Sequence, residues 1–192
     1  MRLRSAIFVA LTVTALACTS NSSTSPTAGA TLHVLLKDSP FSDAKALLVT
    51  FSEVTVHAAG SGFGGDQRLP FVSGAPTRTC DVKKLASATD TLGTGPLVAG
   101  HYSQVRLVVA SATIYFDNAS SGPACATTIA APAGRNASVD IPSGELRLNR
   151  EFDVTMTAPT TMLLDIDGDR SVRDTGNGRY MMSPVITIDS VY

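Results

Sequence analysis

The stretch "LGTGPLVAGHYSQVRLVVASATIYF", Leu92 to Phe116, decides the fold class. Within it Val105, Leu107 and Val109 alternate with Arg106, Val108 and Ala110, which makes a strand apolar on nearly both faces. Such a strand belongs at the centre of a sheet. Just upstream, Leu97, Gly100 and Tyr102 stand at the spacing of a tyrosine corner. In that device the ring packs inward after a Gly-containing bend and the hydroxyl returns to the backbone a few residues upstream. Tyrosine corners belong to Greek-key sandwiches, so Tyr102 favours a sandwich over a barrel.

The same period of two runs outward in both directions, and no segment carries a 3.6-residue repeat. "ATLHVLLK" puts Leu32, Val34 and Leu36 on one face, and "DSPFSD" then turns the chain. In "ALLVTFSEVTVHA" the positions Leu47, Val49 and Phe51 share one phase while Val54 and Val56 share the other. Keeping both sets inside requires one extra residue near Ser52-Glu53, which predicts a bulge there. "CATTIA", "ASVDIP", "EFDVTMT", "TTMLLDID" and "YMMSPVITIDSV" read as further short strands parted by Pro, Gly and Asn. About eight to ten strands at this spacing predict an all-β, antiparallel Greek-key β-sandwich over residues 30–192.

Composition narrows function by exclusion. Charged residues make up only 16% of the chain and aromatic ones 6%, an alphabet of short strands and turns. With 15 basic against 16 acidic residues there is no surplus to meet a phosphate backbone, so nucleic acid is excluded as a partner.

"MRLRSAIFVALTVTALAC" begins with two arginines, continues in an apolar run too short to span a bilayer as a finished helix, and reads as a signal peptide over residues 1–17. Ala15-Leu16-Ala17 satisfies an ordinary signal peptidase. Ala17 before Cys18 also resembles the bacterial lipobox, in which the cysteine takes a diacylglyceryl group and becomes the new N-terminus. The lipobox reading is preferred because "TSNSSTSPTAG" follows, giving a polar tether over residues 18–29. It implies export across the inner membrane and anchoring to a bilayer in the bacterial cell envelope, at the outer membrane or cell surface.

Lipidation of Cys18 would leave Cys80 and Cys125 as an even pair in an oxidising compartment, where a disulfide is expected. The alternative is two small buried hydrophobes that never meet.

Several chemistry-bearing patterns dissolve on inspection. Gly60, Gly62 and Gly65 have dinucleotide-fingerprint spacing, but "DQRLPFV" follows instead of a helix, so the stretch reads as a hairpin loop. His33, His57 and His101 are scattered, and no serine sits in a G-x-S-x-G elbow. The N-x-Ser/Thr sequons at Asn21, Asn118 and Asn136 are chance matches if the chain is a bacterial lipoprotein and glycan sites if it is a eukaryotic secreted protein.

"LLDIDGDRSVRD", Leu163 to Asp174, is the one stretch with metal-ligand character. Asp165, Asp167 and Asp169 occupy the first, third and fifth places of an EF-hand loop, but Arg170 replaces its glycine and Gly176 its bidentate Glu. The sequence reading is therefore a solvated strand edge turning at Gly168, with a weak calcium site as the alternative.

Taken in order, "LHVLLKDSPF", "VTFSEVTVH", "GHYSQVRLVV", "IPSGELRL", "LLDID" and "YMMSPVITI" resemble the bacterial lipoprotein family catalogued as domain of unknown function forty-three eighty-two. The resemblance implies an immunoglobulin- or transthyretin-like sandwich and brings no catalytic or metal residues to carry over. "ELRLNREF" and "DGDR" depart from the family pattern. The expected function is a non-catalytic binding or interaction module on a membrane-anchored tether, with an unknown protein or glycan partner and no cofactor. The alternative is a calcium-dependent hydrolase or calcium-stabilised glycan-binding domain using the loop 165–169.

Overall fold

Val105 and Leu107 are fully buried, and they share one core cluster with Leu32, Val34 and Leu36 upstream and Met162, Leu164 and Ile166 downstream. The alternation read from sequence thus gathers remote segments into a single interior. Each such side chain stabilises the fold by about 1.5–3 kcal/mol. The computed structural model describes residues 29–39, 44–62, 65–183 and 185–192. The expected signal peptide, Cys18 and the tether up to residue 28 lie outside the described residues.

Two sheets enclose that interior. The first has the order β13-β10-β1-β5, made of β1 (Ala30–Ser39), β5 (Asp90–Leu97), β10 (Thr160–Asp167) and β13 (Val185–Val191). The second is built on a long pair, β2 (Ala46–Ala58) and β6 (Gly100–Tyr115). β3 (Asp66–Leu69) and β4 (Arg78–Asp81) share the outer edge of β2, while β8 (Asn136–Asp140) and β9 (Glu145–Val154) share that of β6. β7 (Cys125–Ala126) extends the sheet from β4, and the hairpin of β11 (Val172–Gly176) and β12 (Arg179–Met182) extends it from β8. The molecule is an all-β sandwich with β6 at the centre of its larger sheet.

The bulge demanded by the phase change in β2 is present. Its register against β6 slips between Thr50 and Phe51 and again between Phe51 and Glu53, so Ser52 is passed over. Phe51, Val54 and Val56 then all face inward. Opposite them Ala110 of β6 is skipped as well, a second irregularity that the sequence pattern did not announce.

The sheets are mixed, where the alternation had predicted antiparallel pairing throughout. β1 runs parallel to β10, and β8 parallel to β12. The cause lies in how the chain changes sheets: β9 leaves the larger sheet at the end where β1 begins, so β10 starts beside β1 and runs the same way. Alternation reports which face is buried and is blind to strand direction.

Two other readings need correction. "CATTIA" forms only the two-residue β7. "YMMSPVITIDSV" is two strands in different sheets, and a proline in the run has no ladder N–H to give. The departure "ELRLNREF" forms most of β9. Two single-turn helices, α1 (Val82–Leu85) and α2 (Gly168–Ser171), each sit where the chain passes from one sheet to the other. Four residues are too few to show helical periodicity, so neither was visible in the pattern.

Tyr102 sits at the crossing from β5 to β6 and is almost completely buried. Its ring stacks on Phe152 at 5.5 Å, and its hydroxyl donates to the Val98 carbonyl at 2.6 Å. Gln67 donates to the same hydroxyl at 2.9 Å and accepts the Val98 N–H at 3.1 Å. Replacing Tyr102 by Phe removes the donor to one partly buried carbonyl and the acceptor for the Gln67 amide. The expected cost is about 1 kcal/mol, read as a fall of about 3 °C in melting temperature.

Candidate functional site

Asp165, Asp167 and Asp169, the candidate calcium ligands, do not lie along one strand. Asp165 and Asp167 belong to β10, whereas Asp169 lies in α2, and its side chain is outside what the structure describes. Asp165 meets Lys37 at 3.2 Å, and Lys37 also reaches Asp189 at 3.3 Å, which ties β1, β10 and β13 together on their outer face. Both carboxylates raise the Lys37 pKa, chiefly by accepting its hydrogen bonds. Asp167 caps α2 by accepting the Arg170 N–H at 3.0 Å. Among the described residues no three His, Cys, Asp or Glu come together in a way that would hold a metal ion.

Sequence reasoning passed over the carboxylate in the least ordinary setting. Asp38 is 5% exposed, on the inner face at the end of β1, where it accepts the Gly168 N–H at 3.0 Å. Its other oxygen is buried without a hydrogen-bond partner. Burial pushes its pKa up to about 7, with Asp165 and Asp167 adding to the rise and the Gly168 N–H and Lys83 opposing it. The folded chain therefore holds this proton more tightly than the unfolded one. The resulting stability is complete below the unfolded value of 3.8 and is lost as pH rises through about 7. Replacing Asp38 by Asn keeps an acceptor for Gly168 and removes the ionisation. Relative to the parent, the variant should gain on the order of 2 kcal/mol between about pH 4 and pH 8, measured by urea unfolding at each pH.

The histidines have separate local partners. His33 bonds Thr94 at 2.8 Å, and His101 bonds Asp153 at 2.8 Å, which raises its pKa. His57 lies between Asp66, 2.9 Å from Nδ1, and the Ser61 carbonyl, 3.1 Å from Nε2. A carbonyl only accepts, so Nε2 spends its proton there, and the Ser61 hydroxyl instead donates to the Ala58 carbonyl. Serine, histidine and aspartate are thus neighbours without the hydroxyl-to-imidazole bond that activates a nucleophile.

Cys80 and Cys125 form a disulfide between directly opposed residues of β4 and β7. Arg78, nearly buried, meets Asp90 at 2.8 Å, and Asp90 accepts the Cys125 N–H at 3.1 Å.

A surface groove of about 520 Å³ opens where β12 runs beside β8, lined by Ser138, Val139, Asp140, Gly178, Arg179 and Tyr180. Only Tyr180↔Val139 and Met181↔Asp140 are paired in that parallel ladder. The half-buried Tyr180 ring packs tilted against Phe116 at 5.3 Å, and the Arg135 guanidinium lies over Phe116 at 5.9 Å. Asp117 holds Arg135 at 3.0 Å, and the Arg135 N–H first, then this side-chain contact, keeps the Asp117 carboxyl below its usual range. The tight Asn177–Gly178 turn, with φ of 56° and 69°, brings Arg179 to the groove mouth. The groove therefore offers a cation, a carboxylate and a hydroxyl on the outer face of these strands, while the Tyr180 ring packs on their inner face beside Val139 and Met182. No local motif marks it, because its halves are brought together by a parallel pairing of strands remote in sequence.

A family model described as "Domain of unknown function (DUF4382)" matches residues 29–184, most of the chain. No curated protein and no solved structure matches it.

Proposed function

The chain belongs to that family, whose description assigns no activity, and from this premise we propose that it is a non-catalytic binding module, lipid-anchored through Cys18 in a bacterial cell envelope. The tether gives the sandwich reach, and the groove between β8 and β12 takes a protein or glycan partner. The groove carries the reading: Arg179, Asp140 and Ser138 on one exposed face supply hydrogen bonding in both directions. Full-length protein bound to beads should capture a saturable partner from envelope extracts. Replacing Arg179 and Asp140 by Ala should weaken capture by about tenfold or more, the scale of a lost arginine anchor. Capture unaffected by both changes, or no saturable capture at all, would sink the proposal.

A further inference from the structure

One end of the sandwich combines exposure, apolarity and the arrival of the N-terminal segment. Ala30 pairs with Leu97, Leu32 with Thr160 and Gly100 with Val154, so β1, β6 and β10 start there, and β5 and β9 finish there. Among the described residues four large apolar side chains are exposed, and three of them belong to this end: Val98 at 70%, Met156 at 56% and Tyr192 at 73%. Tyr192 is placed by its backbone exchange with Thr161. Val98 and Met156 flank an apolar hollow of about 470 Å³ that also touches Gly29, Pro96 and Ala99. The turn 96–100 and the crossing 155–159 contain no ionisable side chain. Next along β9, Glu151 and Asp153 sit against His101.

Gly29, in the wall of the hollow, is where the chain from Cys18 arrives. Fully extended, that connection spans at most about 40 Å. Resting on the lipidated Cys18 of the proposed function, we infer that this end of the sandwich is a bilayer-docking face, with Val98, Met156 and Tyr192 entering the interfacial layer of the membrane. The anchor holds the face at high local concentration, so a small apolar contact suffices. Val98 is held ready, because its N–H and C=O are both bound by the Gln67 and Tyr102 side chains, and little ordering is left for docking. Without basic residues on the face, docking needs no anionic lipid.

The test is oxidation of Met156 by a peroxide pulse, read by mass spectrometry against half-buried Met181 in the same molecule. In full-length lipidated protein reconstituted into phosphatidylcholine vesicles, the Met156-to-Met181 rate ratio should fall about fivefold below that of the Cys18→Ser protein in buffer. Val98→Asp, a change at an exposed site, should return the ratio to the buffer value. An unchanged ratio in vesicles, with the lipid on Cys18 confirmed by mass, overturns the docking face and leaves the anchor standing. If the mass shows no lipid, the proposed function loses its anchor. Excess vesicles added to the unanchored protein then decide the face: a falling ratio supports it and a constant one overturns it. Protection in buffer alone would also overturn it, by residues 19–28 if independent of protein concentration and by a second copy if not.

Discussion

Replacing Cys80 and Cys125 together by Ala will lower the unfolding free energy by about 4 kcal/mol and the melting temperature by about 10 °C. The bond closes a loop of 45 residues, and in the chain-entropy account its main effect is to restrict the unfolded chain. The native state has other holds on the same segment. Asp90 accepts the Cys125 N–H, the Asp81 N–H donates to the Ala124 carbonyl at 2.7 Å, and Lys84 reaches the Gly122 carbonyl at 2.7 Å. The double variant should therefore fold with an unchanged β signature and unfold at lower urea. Reducing the parent protein should reproduce the shift without mutation. Equal midpoints for oxidised and reduced protein would refute the prediction.

That bond was half legible in the sequence. An even pair of cysteines, in a chain read as exported from its N-terminal segment, suggested it, but nothing in the spacing said that β4 and β7 would be neighbours. The same boundary recurs elsewhere. Period-two burial revealed the core strands and the bulge in β2, because both follow from which side of a strand is apolar. Strand direction, the split of "YMMSPVITIDSV" and the two single-turn helices leave no trace in that alternation. Tyr102 was legible because a tyrosine two residues after a glycine, leading into an apolar strand, is a local signal with a mechanism. The groove around Tyr180 was not, since Phe116 and Tyr180 meet only through the parallel pairing of β8 with β12. Asp38 looked like turn punctuation, and only the placement of β1 beside α2 makes it a buried acid.

Asp81 was equally unremarkable in sequence, yet replacing it by Ala should cost about 3–5 kcal/mol. Its side chain is fully buried and accepts three hydrogen bonds: from the Leu47 N–H and the Lys83 N–H at 3.1 Å each, and from the Ser120 hydroxyl at 2.5 Å. These donors come from the start of β2, the first turn of α1 and the segment before β7. A methyl group satisfies none of them, and each buried donor left unpaired costs about 1–3 kcal/mol. Asn is the informative control. Its carbonyl oxygen can take both backbone N–H groups, while the Ser120 hydroxyl can rotate to accept from the amide, so the cost should drop to about 1–2 kcal/mol. Ser120→Ala removes one donor together with its need and should cost about 1 kcal/mol. Urea unfolding of the three variants should rank Ala at position 81 far below the other two. Equal losses for Asp81→Ala and Asp81→Asn would mean that charge, not the acceptor geometry, holds these three segments together.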